Sequence, residues 1–442
     1  MLLLVCSFAL SARGQEEVRV DPLAGVSTWQ DFDFSGVTIT VAVPEFGRRT
    51  IEEAAREFTK HTGGKVEVLN ISGAVWREQM LQELVAGTGT FDIMDISPWW
   101  FGDFYPYLMP IDSYLADPRF TDPAFDPDDI IPALWDEYAK GPDGNYYGLP
   151  FWASVVVNYY RTDLFNDPAE KRAFMSRYGY ELAPPVTWDQ WLDVAEFFTR
   201  PEENLYGATL IGKRAYNINV PITNRFFGVG APDWIDDEGK PIIFSRPELM
   251  EEAFDLYLAS AQYAPPDYLA TEFFETTNTL ISGTVAMAEQ WSGAAYFAAQ
   301  DPTQSSVVGN IAIAPVPGDG ALGGGHMWAI AKDTKHPEAS WVLLQLLGSK
   351  EVVKFALLEE GIDPPRASTY ADPDVVAYYP PGYGANLAQA LAASYQPILN
   401  KTPYSTALWE ALIARTSEVI SLIRTPKEAT DGLIADWRRI IP

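Results

Sequence analysis

One cysteine, Cys6, stands in a chain of 442 residues, so no disulfide can form within it and no cysteine-based metal site is possible. Histidine is nearly as scarce: His61, His326 and His336 are the whole set. Basic residues are few as well, 31 Lys and Arg against 60 Asp and Glu, which leaves a net charge of −29. That balance excludes a general nucleic-acid binder, because nothing would neutralise phosphates, and it disfavours an anionic lipid surface. No internal run approaches the roughly 18 apolar residues that span a bilayer. G-x-S-x-G, HExxH, Walker A and EF-hand patterns are missing, as are repeats and low-complexity segments. No metal and no cofactor is expected.

What is plentiful is aromatic: 14 Trp, 22 Tyr and 23 Phe, more than cores require. With 47% apolar residues the chain is folded, and its length suits two or three domains. Met1 to Ala12 is an apolar run of signal-peptide length, although a basic residue ahead of it is missing. Ala12 and Gly14 put small residues before a cut at Gln15, so residues 1–14 are read as a signal peptide and 15–35 as a linker. Export to the periplasm or cell surface is expected. Cys6 follows Leu3-Leu4-Val5 where a lipidated cysteine normally follows Gly or Ala, so a lipid anchor stays an open alternative.

Val37 to Val43 reads as a buried strand, followed by a turn at Pro44 to Gly47. Thr50-Ile-Glu-Glu53 reads as a capping box for a helix with Ile51, Ala54, Ala55 and Phe58 on its apolar stripe. Gly63-Gly64 ends it. A strand over 65–71, a helix over 75–86 and a strand over 91–96 follow. This alternation predicts a parallel sheet with right-handed crossovers. Residues 146–160 and 307–316 read as further strands, Thr187 and Ser245 open helices, and the last ~80 residues are mostly helical.

Ligands of parallel α/β sheets sit beyond the carboxyl ends of strands, and that is where several tryptophans fall. Trp99 and Trp100 follow the third strand, and Trp76 opens the second helix. Trp152 follows Gly148-Leu-Pro150, Trp291 sits in Glu289-Gln-Trp-Ser-Gly293, and Trp328 follows Gly323-Gly-Gly-His326. An indole offers a flat apolar face to a sugar ring while nearby polar groups read its hydroxyls. Any one of these tryptophans is as well explained by core packing; Trp188, Trp191 and Trp341, on helices, are assigned to cores. Asp95, Asn217, Asn219, Gln290, Asp363 and Arg366 could supply the hydrogen bonds. His326, behind three glycines that permit close backbone approach, reads either as part of a flexible loop or as facing a ligand.

The order of motifs resembles the family 1 extracellular solute-binding proteins, the maltose-binding-protein-like carbohydrate-binding components of ABC importers. The resemblance rests on Ala54-Ala-Arg-Glu-Phe58, Phe91-Asp-Ile93 and Pro110-Ile-Asp112. It continues with Tyr147-Gly-Leu-Pro150 and Asn158 to Phe165, then Pro185-Val-Thr-Trp-Asp189. Gly283-Thr-Val-Ala-Met-Ala288 ahead of Trp291 and Lys335-His-Pro-Glu-Ala-Ser-Trp341 complete it. Gly361-Ile-Asp-Pro-Pro-Arg366 departs from the family's turn at that place. The resemblance implies a two-lobed periplasmic-binding-protein type II fold, each lobe a mostly parallel sheet flanked by helices. It implies lobes of 36–149 plus 312–358 and of 150–311 plus 359–442, with crossings near 149–151, 311–316 and 355–364. It also implies a monomer, an ABC permease as partner, and ligand contacts from Glu45 and Phe46, Ser97 to Trp100, Tyr216 to Asn219, Trp291, Gly325 and His326, and Trp409.

The function expected is capture of a neutral sugar or polyol without catalysis. Two alternatives are weighed against it. A secreted hydrolase or lyase would need a carboxylate pair, for which Glu45, Asp95, Glu289 and Asp363 are the acids near loops. A binder of a small anion or peptide would need convergent cations, for which Arg48, Arg49, Arg77, Lys213, Arg214, Arg225 and Arg366 stand near the same loops.

Overall fold

Runs of β-branched and apolar residues form the strands Thr38–Val43 (β1), Lys65–Asn70 (β2) and Ile93–Ile96 (β3). The helices Arg48–Thr62 and Trp76–Ala86 connect them, and β1 pairs in parallel with both neighbours. This computed structural model describes residues 32–43, 47–71, 76–236, 238–318, 321–392, 394–395 and 402–441, apart from the side chains of Glu137 and Ala294. The expected signal peptide, residues 15–31 of the expected linker, and the candidate residues Glu45 and Phe46 lie outside the described residues. Phe32 and Phe34, at the end of that linker, stack on each other and on Phe120 and Phe58, so this part is packed against the body.

Gly63 caps the first helix at φ 72°, as its sequence predicts. The capping box does not form. The helix begins at Arg48, and the amide and hydroxyl of Thr50 both donate to the Glu360 carboxylate, a tertiary partner that displaces the local one. Thr187 does cap the helix Trp188–Phe198, its hydroxyl accepting from the Gln190 amide at 3.2 Å.

The decisive element is Leu149–Arg161 (β4), thirteen residues of LPFWASVVVNYYR. Its residues 149–155 pair antiparallel with Gly323–Ile330 (β8), which also pairs with β3. Its residues 156–160 pair antiparallel with Val285–Trp291 (β6), and 157–161 with Ile311–Pro315 (β7). Tyr206–Ala208 (β5) adds in parallel to β6. The strand order is β2-β1-β3-β8-β4-β6-β5, with β7 on β4. One strand therefore belongs to two sheet halves, β2-β1-β3-β8 in the first lobe and β6, β5 and β7 in the second. Being covered on both faces, β4 reads as a continuous apolar run.

The sheet is mixed: parallel pairings at β1–β2, β1–β3 and β5–β6, as βαβ units demand, and antiparallel ones around β4. The antiparallel pairs arise because the chain leaves the first lobe along β4 and returns along β8. β7 pairs along its length with the second half of β4, so the boundary expected at residue 312 falls within it. The stretch 361–366 is anchored to the same region, Asp363 O accepting from the Ala153 amide at 2.9 Å. The helices Ser405–Ile420 and Pro426–Ile440 pack into the second lobe through Trp409, Leu412 and Trp437. Trp191 and Trp341 are fully buried and Trp188 nearly so, as their helical positions predict. Among the described residues no helix is long and apolar enough to cross a membrane.

Candidate functional site

Two aromatic groups gather where the lobes meet. The first is built around His326 on β8. Its imidazole lies between the indoles of Trp76 and Trp152, with centroids 5.3 and 5.0 Å away and planes within 13° and 16°. Nδ1 of His326 is 2.7 Å from Oδ1 of Asp95 on the neighbouring strand β3. The Asp95 side chain is only 1% exposed; burial pushes its pKa up and the imidazole pulls it back. The hydrogen bond sets which ring edge faces the sheet, and the two indoles set the ring plane.

The second group joins the lobes. Ser97 caps the turn Pro98–Trp100 after β3, which swings Trp99 out to the second lobe. Trp99 stacks on Trp409 at 5.6 Å and 18°, tilts against Tyr216 at 5.1 Å and meets Trp291 edge-on at 6.1 Å. Trp291 ends β6, and its six-membered ring rests on the backbone of Gly324: a Cβ there would lie 2.6 Å from the ring. Gly325 has φ 117°, and a Cβ on it would lie 2.0 Å from the carbonyl oxygen of Trp152. Gly324 and Gly325 thus admit an indole and the strand β4, and the triple glycine lies in β8 and not in a loop. At the rim, Arg77 of the first lobe bonds to Asp103 and to the Thr406 hydroxyl at 3.0 Å, and Thr406 in turn donates to Asp103.

Ser97, Trp100, Trp152, Tyr216, Asn217, Trp291, Gly325 and His326 are half-buried and border this junction. Trp76, Asp95 and Trp99 are buried behind them. Asn217 donates to Glu272 at 2.6 Å. Asn219 is fully buried, with neither end of its amide hydrogen-bonded. Gln290 is spent on Thr276, Thr277, the Phe273 carbonyl and the Trp291 amide. A narrow pocket beside Trp291 is lined by Thr209, Leu210, Val220, Pro221 and Glu289.

Four further expected ligand contacts are buried and engaged by other parts of the protein. Trp328 stacks on Phe151 at 4.1 Å inside the first-lobe core. Trp409 is 1% exposed, wedged between Trp99 and Trp234. Arg366 is fully buried and donates to the carbonyls of Phe125, Asp126 and Gly348 at 2.7–2.8 Å, a clamp that holds two turns. Asp363 is fully buried, accepts from the Tyr379 hydroxyl at 2.9 Å, and abuts Gly293. Its pKa is pushed up to about 7 by burial, while the hydroxyls of Ser292 and Tyr379 pull it down. Sequence reasoning also passed over Gly324, whose signal was the triple glycine itself.

The acids and cations of the two alternative readings are largely spoken for. Asp95 is bonded to His326, Asp363 to Tyr379, and Glu289 to Arg225 at 2.8 Å. Arg225 is fully buried, with Trp188 4.3 Å away. Arg48, Arg49 and Arg77 bond to Glu52, Glu359 and Asp103. No cluster of three or more metal-ligating side chains occurs among the described residues.

Residues 45–354 match the family described as bacterial extracellular solute-binding protein. A mannitol-binding protein of Pseudomonas aeruginosa is 27% identical over 313 residues, 67% of this chain and 66% of that protein, so the match spans just under two thirds of the relative. The solved structure of an ABC transporter solute-binding protein from Agrobacterium radiobacter K84, in complex with ribitol, superposes with a TM-score of 0.77 at 22% identity. That superposition covers 92% of this chain and 99% of the other. Maltose-bound MalE3 of T. maritima gives 0.77 at 17% identity over 92% and 100% of the two chains. The two-lobed fold is common to them.

Proposed function

Since the chain belongs to the bacterial extracellular solute-binding protein family, we propose that it captures a neutral carbohydrate or polyol between its lobes and delivers it to an ABC-type permease. It works as an exported monomer and without catalysis. Relatives described as binding mannitol and ribitol support this ligand class. The observation that carries the neutral charge is the pairing of cations: Arg48, Arg49, Arg77 and Arg225 each face a carboxylate, and Arg366 is spent on carbonyls. An anionic ligand at any of these five would have to displace a partner; Lys213 and Arg214, exposed beside Tyr216, are the remaining cations near those loops. The half-buried residues Ser97, Trp100, Trp152, Asn217, Trp291, Gly325 and His326 form the proposed contact surface.

The mechanism needs no proton or electron transfer. An uncharged polyhydroxy solute is held by apolar contact with indoles and by hydrogen bonds in a site that closure dries. Each buried donor or acceptor that a wrong epimer leaves unpaired costs about 1–3 kcal/mol, and this sets selectivity. Closure is a hinge motion about β4 and the adjoining crossings, and the closed form is what the permease reads.

A thermal-shift screen against mannitol, ribitol, glucose, maltose, citrate and phosphate tests the reading. A ligand at 100 times its Kd stabilises by about 2.7 kcal/mol, which raises the midpoint by a few degrees. Shifts confined to the anions, or release of products from maltose, would overturn it.

A further inference from the structure

We propose that Asp363 is a proton-operated pin of the hinge. With its proton it holds residues 361–366 against the second lobe, and without it the two part. This goes beyond solute capture and does not depend on the ligand's class.

The placement follows from what holds this segment along its length. At its start, Glu360 accepts from the amide of Thr50 on the first-lobe helix Arg48–Thr62 at 2.9 Å. At its end, the Arg366 guanidinium is clamped on the carbonyls of Phe125, Asp126 and Gly348, and Phe125 belongs to the first-lobe core. Between these anchors Asp363 faces the other way. Its carbonyl oxygen accepts from the Ala153 amide of β4. Its carboxyl meets the Tyr379 hydroxyl and the turn Ser292–Gly293 that follows β6. A segment tied to one lobe at both ends is thus pinned to the other in its middle.

The contact is tight. A Cβ on Gly293 would lie 2.7 Å from Oδ2 of Asp363, and one on Gly361 would lie 2.5 Å from Cβ of Phe297, which leaves no room for a water between segment and turn. Oδ1 accepts from Tyr379 at 2.9 Å. The Ser292 hydroxyl, which accepts from the Val155 amide, is close by, but Oδ2 has no hydrogen-bond partner among the described residues. A neutral carboxyl tolerates such a place and a carboxylate does not.

The ionisable groups facing it are tyrosines: Tyr159 of β4, Tyr296 of the helix Ala294–Gln300, and Tyr370, Tyr378, Tyr379 and Tyr383, all held neutral by burial. The charged groups of the adjoining segments are engaged elsewhere. Glu359 pairs with Arg49, Glu360 with Thr50, Lys354 with Asp372 and Asp374, and Arg366 with its carbonyls. With no cation to offset burial, the proton leaves near pH 7. The carboxylate then needs water, which has to enter between 361–363 and 292–293, and the Ala153 amide loses its acceptor. The pinned form holds the proton, so it prevails below about pH 7 and is lost as the pH rises through that value.

Hydrogen-exchange mass spectrometry on the full chain, parent against Asp363→Asn at the same pH, tests this. Asn keeps the shape of the protonated group and cannot ionise. At pH 8.5, peptides covering Ala153, 292–297 and 361–366 are expected to exchange about fivefold or more faster in the parent, and at pH 5.5 within about twofold of the variant. Exchange in β1 should match at both values. Equal exchange of the hinge peptides at pH 8.5, or faster exchange spread evenly over the chain, would overturn the pin. Tyr379→Phe gives a second reading should Asp363→Asn not fold. It removes a donor that favours the ionised form, so the onset of fast exchange should move up by about half a pH unit or more. An onset at the parent's pH would overturn the pin as well.

Discussion

A carboxyl group buried without a cation is costly, and Asp363 is such a group. The groups around it, Tyr159, Tyr370, Tyr378, Tyr379 and Tyr383, all have their pKa values raised by burial and stay neutral near pH 7. Asp363 therefore titrates alone, near pH 7 in the folded protein and near 4 in the unfolded chain. Because the folded value is the higher one, the folded state holds an extra proton between these limits. Stability from this group is full below about pH 4 and is lost as the pH rises through about 7. Asp363→Asn should remove that slope, about 1 kcal/mol per pH unit for a single proton. The thermal midpoint of the parent should therefore fall relative to that of the variant from pH 4.5 to 8; parallel curves would mean that Asp363 stays ionised. Asp95 is the opposite case, a buried acid with a partner. Asp95→Ala removes the hydrogen-bond partner of His326 Nδ1 and is expected to cost about 1–3 kcal/mol in urea unfolding and to loosen the imidazole between its indoles. The importance of Asp95 could be suspected from its place at the end of a strand. Its partner could not, because His326 lies 231 residues away and only the pairing of β3 with β8 brings them together.

At the scale of elements, local patterns carried far. The opening strands and helices, the Thr187 cap and the Gly63 stop follow from nearest-neighbour chemistry, and they form. The capping box at Thr50 failed because Glu360, 310 residues away, is a better partner for its amide and hydroxyl. The tryptophans show the same limit. Their placement after strands was visible, but whether an indole faces a solute or another ring depends on tertiary neighbours. Trp328 and Trp409 went to cores, and Trp76 and Trp152 to the sides of His326. The triple glycine reads in sequence either as a flexible loop or as close approach to a ligand, whereas Gly324 and Gly325 lie in a strand and sit against Trp291 and β4. Gly325→Ala tests that account. A side chain is strained at φ 117°, and its Cβ would overlap the Trp152 carbonyl. Backbone strain of this kind costs about 1–3 kcal/mol, and the overlap adds to it. The variant should unfold at clearly lower urea concentration than the parent; an unchanged midpoint would mean that β4 and β8 are not held together there.

For the molecule as a whole, the aromatic excess and the net charge of −29 act in opposite directions on the two lobes. Like charges repel, and the repulsion is felt over about 30 Å at 0.01 M salt but only about 8 Å at physiological ionic strength. Against it, the lobes are tied by contacts of very different worth. The Arg77, Asp103 and Thr406 group involves an exposed threonine, and such surface pairs contribute about 0–1 kcal/mol. Trp99 is 5% exposed and touches Trp409, Tyr216 and Trp291 of the opposite lobe. Truncating a buried tryptophan to alanine costs about 3–5 kcal/mol, and here most of that loss falls on the closed arrangement, since the contacts cross between lobes. Trp99→Ala should therefore shift the ligand-free protein toward an open form, seen as a larger radius of gyration in X-ray scattering. Thr406→Ala should move it far less. Low salt should exaggerate the opening of the Trp99 variant and added salt should reverse part of it, because screening removes the repulsion that the lost aromatic contact no longer opposes. Equal radii for parent and Trp99 variant at both 0.01 M and 0.15 M salt would show that the lobes are held by something other than this ring.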